Sequence, residues 1–241
     1  MTKTRYIILG DTHGDFLWTL KVLDHAKALK IDTIFQVGDW GFIWPGCDQS
    51  EGLALALRAR KQRMYFIDGN HDVHPVLRTK TDWPAELVYM RRGTRHAFIN
   101  DDGRVVTVGA LGGAASIDKN SRIEGQSWWP EEEILDSEIV TGQVDILLTH
   151  DAPERPRNLS DIQLPMNIVY RCQGSISKVQ ECVRRSNPRI LYHGHYHWPY
   201  KSSFEGTEVI GLNCNGRLGG YIVVDHNFEP YKGRITGWVT K

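Results

Sequence analysis

Five short apolar runs, each followed at once by polar residues of one chemical kind, constrain this chain more than any other feature. "YIILG" runs into Asp11-Thr12-His13, "TIFQVG" into Asp39, "MYFIDG" into Asn70-His71-Asp72, "DILLT" into His150, and "ILYHG" into His195-Tyr196-His197. The runs are short and partly β-branched or aromatic, which predicts strands. Helical patterns lie between them. Phe16, Leu17, Leu20, Leu23 and Leu29 follow a 3.6-residue period behind Asp15, a suitable N-cap. A second helix is expected over 51–62 after Ser50, ending in Arg58, Arg60 and Lys61, which suit the negative end of a helix dipole. Pro130 and three glutamates behind Ser127 fit a first helical turn, and Ile176, Val179 and Val183 continue a helical pattern after Ser175.

Strands alternating with helices imply an α/β fold, in which ligands bind outside the carboxyl ends of the strands. All five polar clusters would then meet on one edge. After His197 the runs "GTEVIGLN" and "GYIVVD" read as sequential antiparallel strands. The expected architecture is a four-layer α/β/β/α sandwich, with two mixed sheets face to face, helices outside, and one domain over 1–241.

The last cluster carries His193, His195 and His197 at every second position. On an extended backbone such residues point the same way, and neutral imidazole is the commonest metal-binding side chain. A His-rich tract by itself is either a metal site or a set of ordinary half-buried residues, and the other four clusters decide between them.

The blocks "GDTHGD", "GDW", "GNHD", "THD" and "GHYH" stand in sequence order between residues 10 and 197. In this they resemble the metallophosphoesterases of the calcineurin-like superfamily, and in particular compact phosphoesterases of bacteriophages and actinobacteria. The resemblance implies that Asp39 bridges two divalent ions. Asp11, His13 and His197 would complete one shell, and Asn70, His150 and His195 the other. It also implies a metal-bridging hydroxide as nucleophile and His71 as general acid. Asp72 beside it would orient the imidazole or, equally, cap the loop. His193 has no counterpart in the family pattern and is read as structural. Gly10, Gly38, Gly69 and Gly194 precede the blocks, where the backbone must approach the site closely.

The Ser/Thr protein phosphatases follow their second block with Asp-Arg-Gly and use "GNHE", whereas this chain has "GDWGFIWPG" and "GNHD". The phosphate-gripping arginine expected beside Asp39 is missing, which favours the "GHxH" branch, rich in phosphodiesterases. The glycine-rich loop from Leu111 to Pro130 supplies Arg122 and Lys119 as candidate phosphate contacts, unless both merely pair with Asp118 and Glu124. Trp40, Phe42, Trp44, Trp128 and Trp129 suit stacking on nucleobases or filling the core beneath the loops. Cys47 is read as inert, and His25, His74, His96 and His226 as ordinary surface or capping residues.

The leading expectation is a phosphodiesterase of small nucleotide substrates, 2′,3′-cyclic ones included. A phosphomonoesterase or protein phosphatase is the alternative within the class, and a non-catalytic scaffold the alternative outside it. All seven ligand positions hold competent residue types, which weighs against the scaffold. Mixed Asp, Asn and His ligands admit Mn²⁺, Fe²⁺, Zn²⁺ and Ni²⁺, with Mn²⁺ favoured. With 29 basic and 29 acidic residues among 241, the chain has no net charge to footprint nucleic acid generally. No stretch approaches the roughly 18 apolar residues of a membrane span. The four cysteines form no C-x-x-C pair and suit reduced thiols in a cytoplasmic protein. Oligomeric state leaves no mark on the sequence.

Overall fold

Alternating residues of one strand serve two different cores. In β1 (Arg5–Leu9), Tyr6 and Ile8 join one buried cluster while Ile7 and Leu9 join another. Successive side chains of a strand leave opposite faces, so a run apolar at every position must be covered on both sides. The computed structural model describes residues 4–156 and 163–231 and shows what covers each face.

In chain order, β1 is followed by α1 (Phe16–Ala28), β2 (Thr33–Gln36), the short β3 (Ile43–Trp44) and β4 (Cys47–Asp48), α2 (Ser50–Arg60), β5 (Arg63–Phe66), α3 (His74–Thr79), β6 (Leu87–Tyr89), β7 (Arg95–Ile99) and β8 (Val105–Leu111). Then come β9 (Ile146–Thr149), α4 (Met166–Ser186), β10 (Ile190–His193), β11 (Tyr200–Phe204), β12 (Thr207–Gly211) and β13 (Tyr221–Asp225). One sheet has the order β13-β1-β2-β5-β6, parallel except for β13. The other has the order β11-β12-β10-β9-β8-β7, parallel across its centre with antiparallel strands at both edges.

The sheets meet face to face over a core that takes Ile8 and Phe35 from the first and Val108, Ile146, Leu148, Ile190 and Tyr192 from the second. Behind the first sheet, Ile7, Leu9, Ile34 and Met64 pack on Leu23 of α1 and Leu53 and Leu57 of α2. Behind the second, Leu147 and Leu191 pack on Val179, Cys182 and Val183 of α4. The expected sandwich of two mixed sheets with helices outside is the architecture found.

Several local expectations hold and others shift. Asp15 caps α1, its carboxylate accepting from the Trp18 amide at 3.0 Å. The Ser127–Leu135 segment gives only a 3-10 turn at Pro130–Glu132, because the Glu132 side chain turns inward to Ser116 and Arg171 and Glu133 is already extended. Helix α4 starts well ahead of Ser175, which lies inside it and donates to Asp151 rather than capping. Past His197, the runs "GTEVIGLN" and "GYIVVD" become β12 and β13, which do not pair with each other as expected; β12 makes its antiparallel hairpin with β11. β12 also runs parallel to β10, and β13 crosses to the first sheet to pair with β1.

Candidate active site

The five polar clusters do leave the carboxyl ends of β1, β2, β5, β9 and β10, and the loops are drawn together by backbone that only certain residues tolerate. A Cβ at Gly194 would fall on the Asp11 carboxylate, and one at Gly69 would fall on Asp39 and stand 2.7 Å from His150 Nε2. His13, Asp39, His195 and His197 adopt left-handed backbone, with φ of 44°, 52°, 65° and 48°. Such conformations cost on the order of 1–3 kcal/mol each and persist where the surroundings enforce them, often at functional sites.

One donor set consists of Asp11, His13, Asp39 and His197, whose candidate ligand atoms all lie within 4.8 Å of one another. The His13 and His197 Nε2 atoms face each other at 3.1 Å, and His197 Nε2 is 2.9 Å from Asp11 Oδ2. A second set meets at Asn70 Oδ1, which is 3.0 Å from His150 Nε2 and 2.9 Å from His195 Nδ1. Asp39 stands between them. Its Oδ2 faces His13 Nε2 at 3.9 Å and its Oδ1 faces His150 Nε2 at 3.3 Å.

The electrostatics call for positive charge. Asp11 and Asp39 are buried, and among the described residues their ion-pair partners are histidines only. Burial works against charge on Asp39, yet His150 beside it holds the carboxyl well below its usual range. Burial likewise opposes a proton on His150, but Asp39 outweighs it and lifts the imidazole to about 10. The hydrogen bond to Asp11 lifts His197 to about 10, whereas burial, reinforced by His150, pushes His195 down to about 3. Two buried carboxylates among convergent imidazoles fit divalent ions, which would replace those protons.

His71 lines the pocket in front of these groups, its amide donating to Asp39 Oδ1 at 2.8 Å. Arg122 reaches across from the loop after β8, one guanidinium nitrogen lying 2.6 Å from His71 Nε2 and another contact of the same group pairing it with Asp118 at 2.8 Å. Burial, opposed by Asp39 and reinforced by Arg122, lowers the His71 pKa. Of the two readings of Asp72, the contact with this imidazole is not made and the loop-capping one matches its hydrogen bonds. Its carboxylate instead accepts from the amides of Trp40, Gly41 and Gly69, tying two ligand loops together, and burial pushes it up to about 7.

Lys119 points elsewhere: its ammonium sits 4.1 Å from the Trp128 ring centre, whereas Arg122, itself outside the pocket lining, contacts His71 of that lining. Trp40, Phe42, Trp128 and Trp129 are buried, and Trp40 stacks on Phe66, so these rings are packing residues. His193 is buried between Tyr200 Oη and the Gly194 carbonyl. His74 is no surface residue: it is fully buried, with Nδ1 3.2 Å from Asp68. The pocket, about 340 Å³, is walled beyond the ligands by Ile117, Leu164, Cys172, Ile176, Tyr196 and Arg155. Arg155 escaped the sequence reading although it follows His150 in the same loop; the aliphatic wall carried no such signal.

Comparison with known proteins accords with this geometry. A family model described as calcineurin-like phosphoesterase matches residues 4–199. Among solved structures, the TT1561 protein of Thermus thermophilus aligns with TM-score 0.57 at 14% identity, covering 97% of this chain and 100% of its own. The phosphopantetheinyl hydrolase PptH of Mycobacterium tuberculosis aligns with TM-score 0.53 at 13% identity, covering 95% and 99%. At these identities they share the fold. No curated protein matches the chain, and no helix among the described residues is long and apolar enough to cross a membrane. Because the matched span takes in all five ligand-bearing loops, the chain belongs to the calcineurin-like phosphoesterase family and is a phosphoester hydrolase with a candidate metal-binding group.

Proposed function

We propose that the protein is a phosphodiesterase of small nucleotide substrates, 2′,3′-cyclic ones included, and that it holds two divalent ions, Mn²⁺ in preference to Fe²⁺, Zn²⁺ or Ni²⁺. The observation that carries the two-ion part of this reading is the division of Asp39, one oxygen toward each donor set. Asp11, His13 and His197 would hold one ion and Asn70, His150 and His195 the other. Ions bound there would supply a nucleophile at neutral pH and neutralise charge on the phosphoryl oxygens.

The remaining roles belong to the chain's own side chains. An anionic ester at the pocket mouth draws the Arg122 guanidinium onto its phosphoryl oxygens and off His71. Freed of that donor and facing an anion, His71 gains a proton and stands placed to pass it to the leaving oxygen. Pocket size supports a small ester, since sites for such ligands run from about 300 Å³ upward. With Trp40, Trp128 and Trp129 buried and no tryptophan in the pocket lining, the organic part of the substrate rests on Ile117, Leu164 and Ile176, which suits an aliphatic arm as well as a nucleobase edge.

The test is hydrolysis of bis-p-nitrophenyl phosphate beside p-nitrophenyl phosphate by metal-stripped protein with Mn²⁺ added back. Manganese-dependent turnover favouring the diester is expected, followed by turnover of a 2′,3′-cyclic nucleotide. Preference for the monoester would overturn the phosphodiesterase reading. A diesterase that ignores every cyclic nucleotide would overturn the nucleotide assignment and point to the aliphatic wall.

A further inference from the structure

Asn70 differs from the other candidate ligands in having two unlike ends of nearly equal shape. Its oxygen can bind a cation and its NH₂ group repels one, so something must decide which end faces the centre. Asn70 Nδ2 lies 3.0 Å from Ser116 Oγ. Ser116 Oγ lies 2.5 Å from Glu132 Oε2, and the Ser116 amide donates to Glu132 Oε1 at 3.0 Å. Glu132 Oε1 in turn pairs with Arg171 of α4 at 2.5 Å, while Arg171 Nε reaches Glu133 at 2.9 Å. Ser116 and Glu132 are fully buried.

This row has a direction. A guanidinium can only donate, and the carboxylate paired with it offers only lone pairs. The single hydroxyl proton of Ser116 therefore goes to Glu132, leaving Oγ an acceptor toward Asn70. Only the NH₂ end of the amide satisfies that acceptor, so Oδ1 must turn to His150 and His195, with which it would hold a cation. Burying a carboxylate costs several kcal/mol unless it is paired and hydrogen-bonded, and here every partner it has serves this one orientation.

We propose that Ser116 and Glu132, anchored by Arg171, are positioning residues that fix the ligating end of Asn70. The proposal rests on the reading of Asn70 as a metal ligand and goes beyond it. The pair acts from outside the coordination shell, where partners of this kind typically carry about 10- to 100-fold in metal affinity.

The test is Mn²⁺ titration of the full chain followed by metal stoichiometry and electron paramagnetic resonance, in wild type, Ser116→Ala, Glu132→Gln and a Val179→Ala control. Val179 shares α4 with Arg171 but makes none of the row's hydrogen bonds, so its truncation separates a general loosening of the helix from loss of the row itself. Wild type should bind two ions and show a spin-coupled spectrum. Both row variants should bind one ion tightly and the other about 10- to 100-fold more weakly, giving an isolated-ion spectrum at one equivalent per site. The control should keep the coupled spectrum. Row variants with wild-type affinity for both ions would overturn the proposal, as would an equal loss in Val179→Ala. A wild type that never binds a second ion would overturn the dinuclear reading along with it. A wild type that binds both ions, loses one on Ser116→Ala and hydrolyses no ester would overturn only the proposed function.

Discussion

Asp39 and His71 are linked by a 2.8 Å hydrogen bond from the His71 amide, yet their substitutions should fail differently. Asp39→Ala removes the group between both donor sets, so bound metal and turnover should both be lost. His71→Ala leaves every ligand in place and should retain metal, while slowing alkyl esters about 10²- to 10⁴-fold and nitrophenyl esters little. Metal content and kcat across a series of leaving groups measure both. A His71→Ala enzyme as fast as wild type on alkyl esters would remove the general acid. At this scale the clustering of the candidate ligands was legible because they sit at fixed short spacings behind strands. Asp72 was ambiguous for a physical reason: adjacent residues point apart, so its nearness in sequence to His71 did not place its carboxylate on the ring. Ser116 and Glu132 had no visible signal, being ordinary residue types remote from any block.

At the scale of elements, strand ends determine where ligands can be and loop backbone determines whether they meet. Gly69 shows how narrow the tolerance is, since its φ is unexceptional and the constraint is purely one of space. A methyl group there must displace both Asp39 and the His150 ring. Gly69→Ala should therefore destabilise the fold by about 1–3 kcal/mol, as overpacking does, and weaken metal binding far more than that implies. Urea unfolding with calorimetric Mn²⁺ titration checks it; unchanged affinity would show that the loops have slack. The elements themselves were largely legible where period and cap agreed, as in α1 behind Asp15. They were misjudged where a tertiary contact overrode the local pattern, as when the Glu132 side chain, bound inward, left only one turn behind Pro130.

Across the whole molecule, a buried charge network ties the loop after β5, which carries Asn70, to β6, to α3 and to the segment ahead of β9. Asp68 accepts from Arg92 and Tyr89 and contacts His74, while Arg92 also pairs with Glu138. Burial alone would raise the Asp68 pKa, but Arg92 and His74 hold it far below the ordinary carboxylate range. A depressed carboxyl contributes stability above its unfolded value, near 3.8, and that contribution is lost as pH falls below it. Asp68→Asn should cost about 1–3 kcal/mol at pH 7, because it leaves the buried Arg92 with Glu138 as its one remaining carboxylate partner among the described residues. The gap to wild type should narrow below pH 4 in denaturant titrations, and a gap independent of pH would discount the ion pair. By itself the sequence determined the strand runs, the residue types behind them and the family, because periodicity and spacing are properties of the chain read locally. Only the tertiary structure decided that β13 crosses to the first sheet, that Arg122 rather than Lys119 reaches His71, and that Ser116 and Glu132 lie behind Asn70. Those choices are made by faces that must be buried and charges that must be paired, and the partners that satisfy them lie far away along the chain.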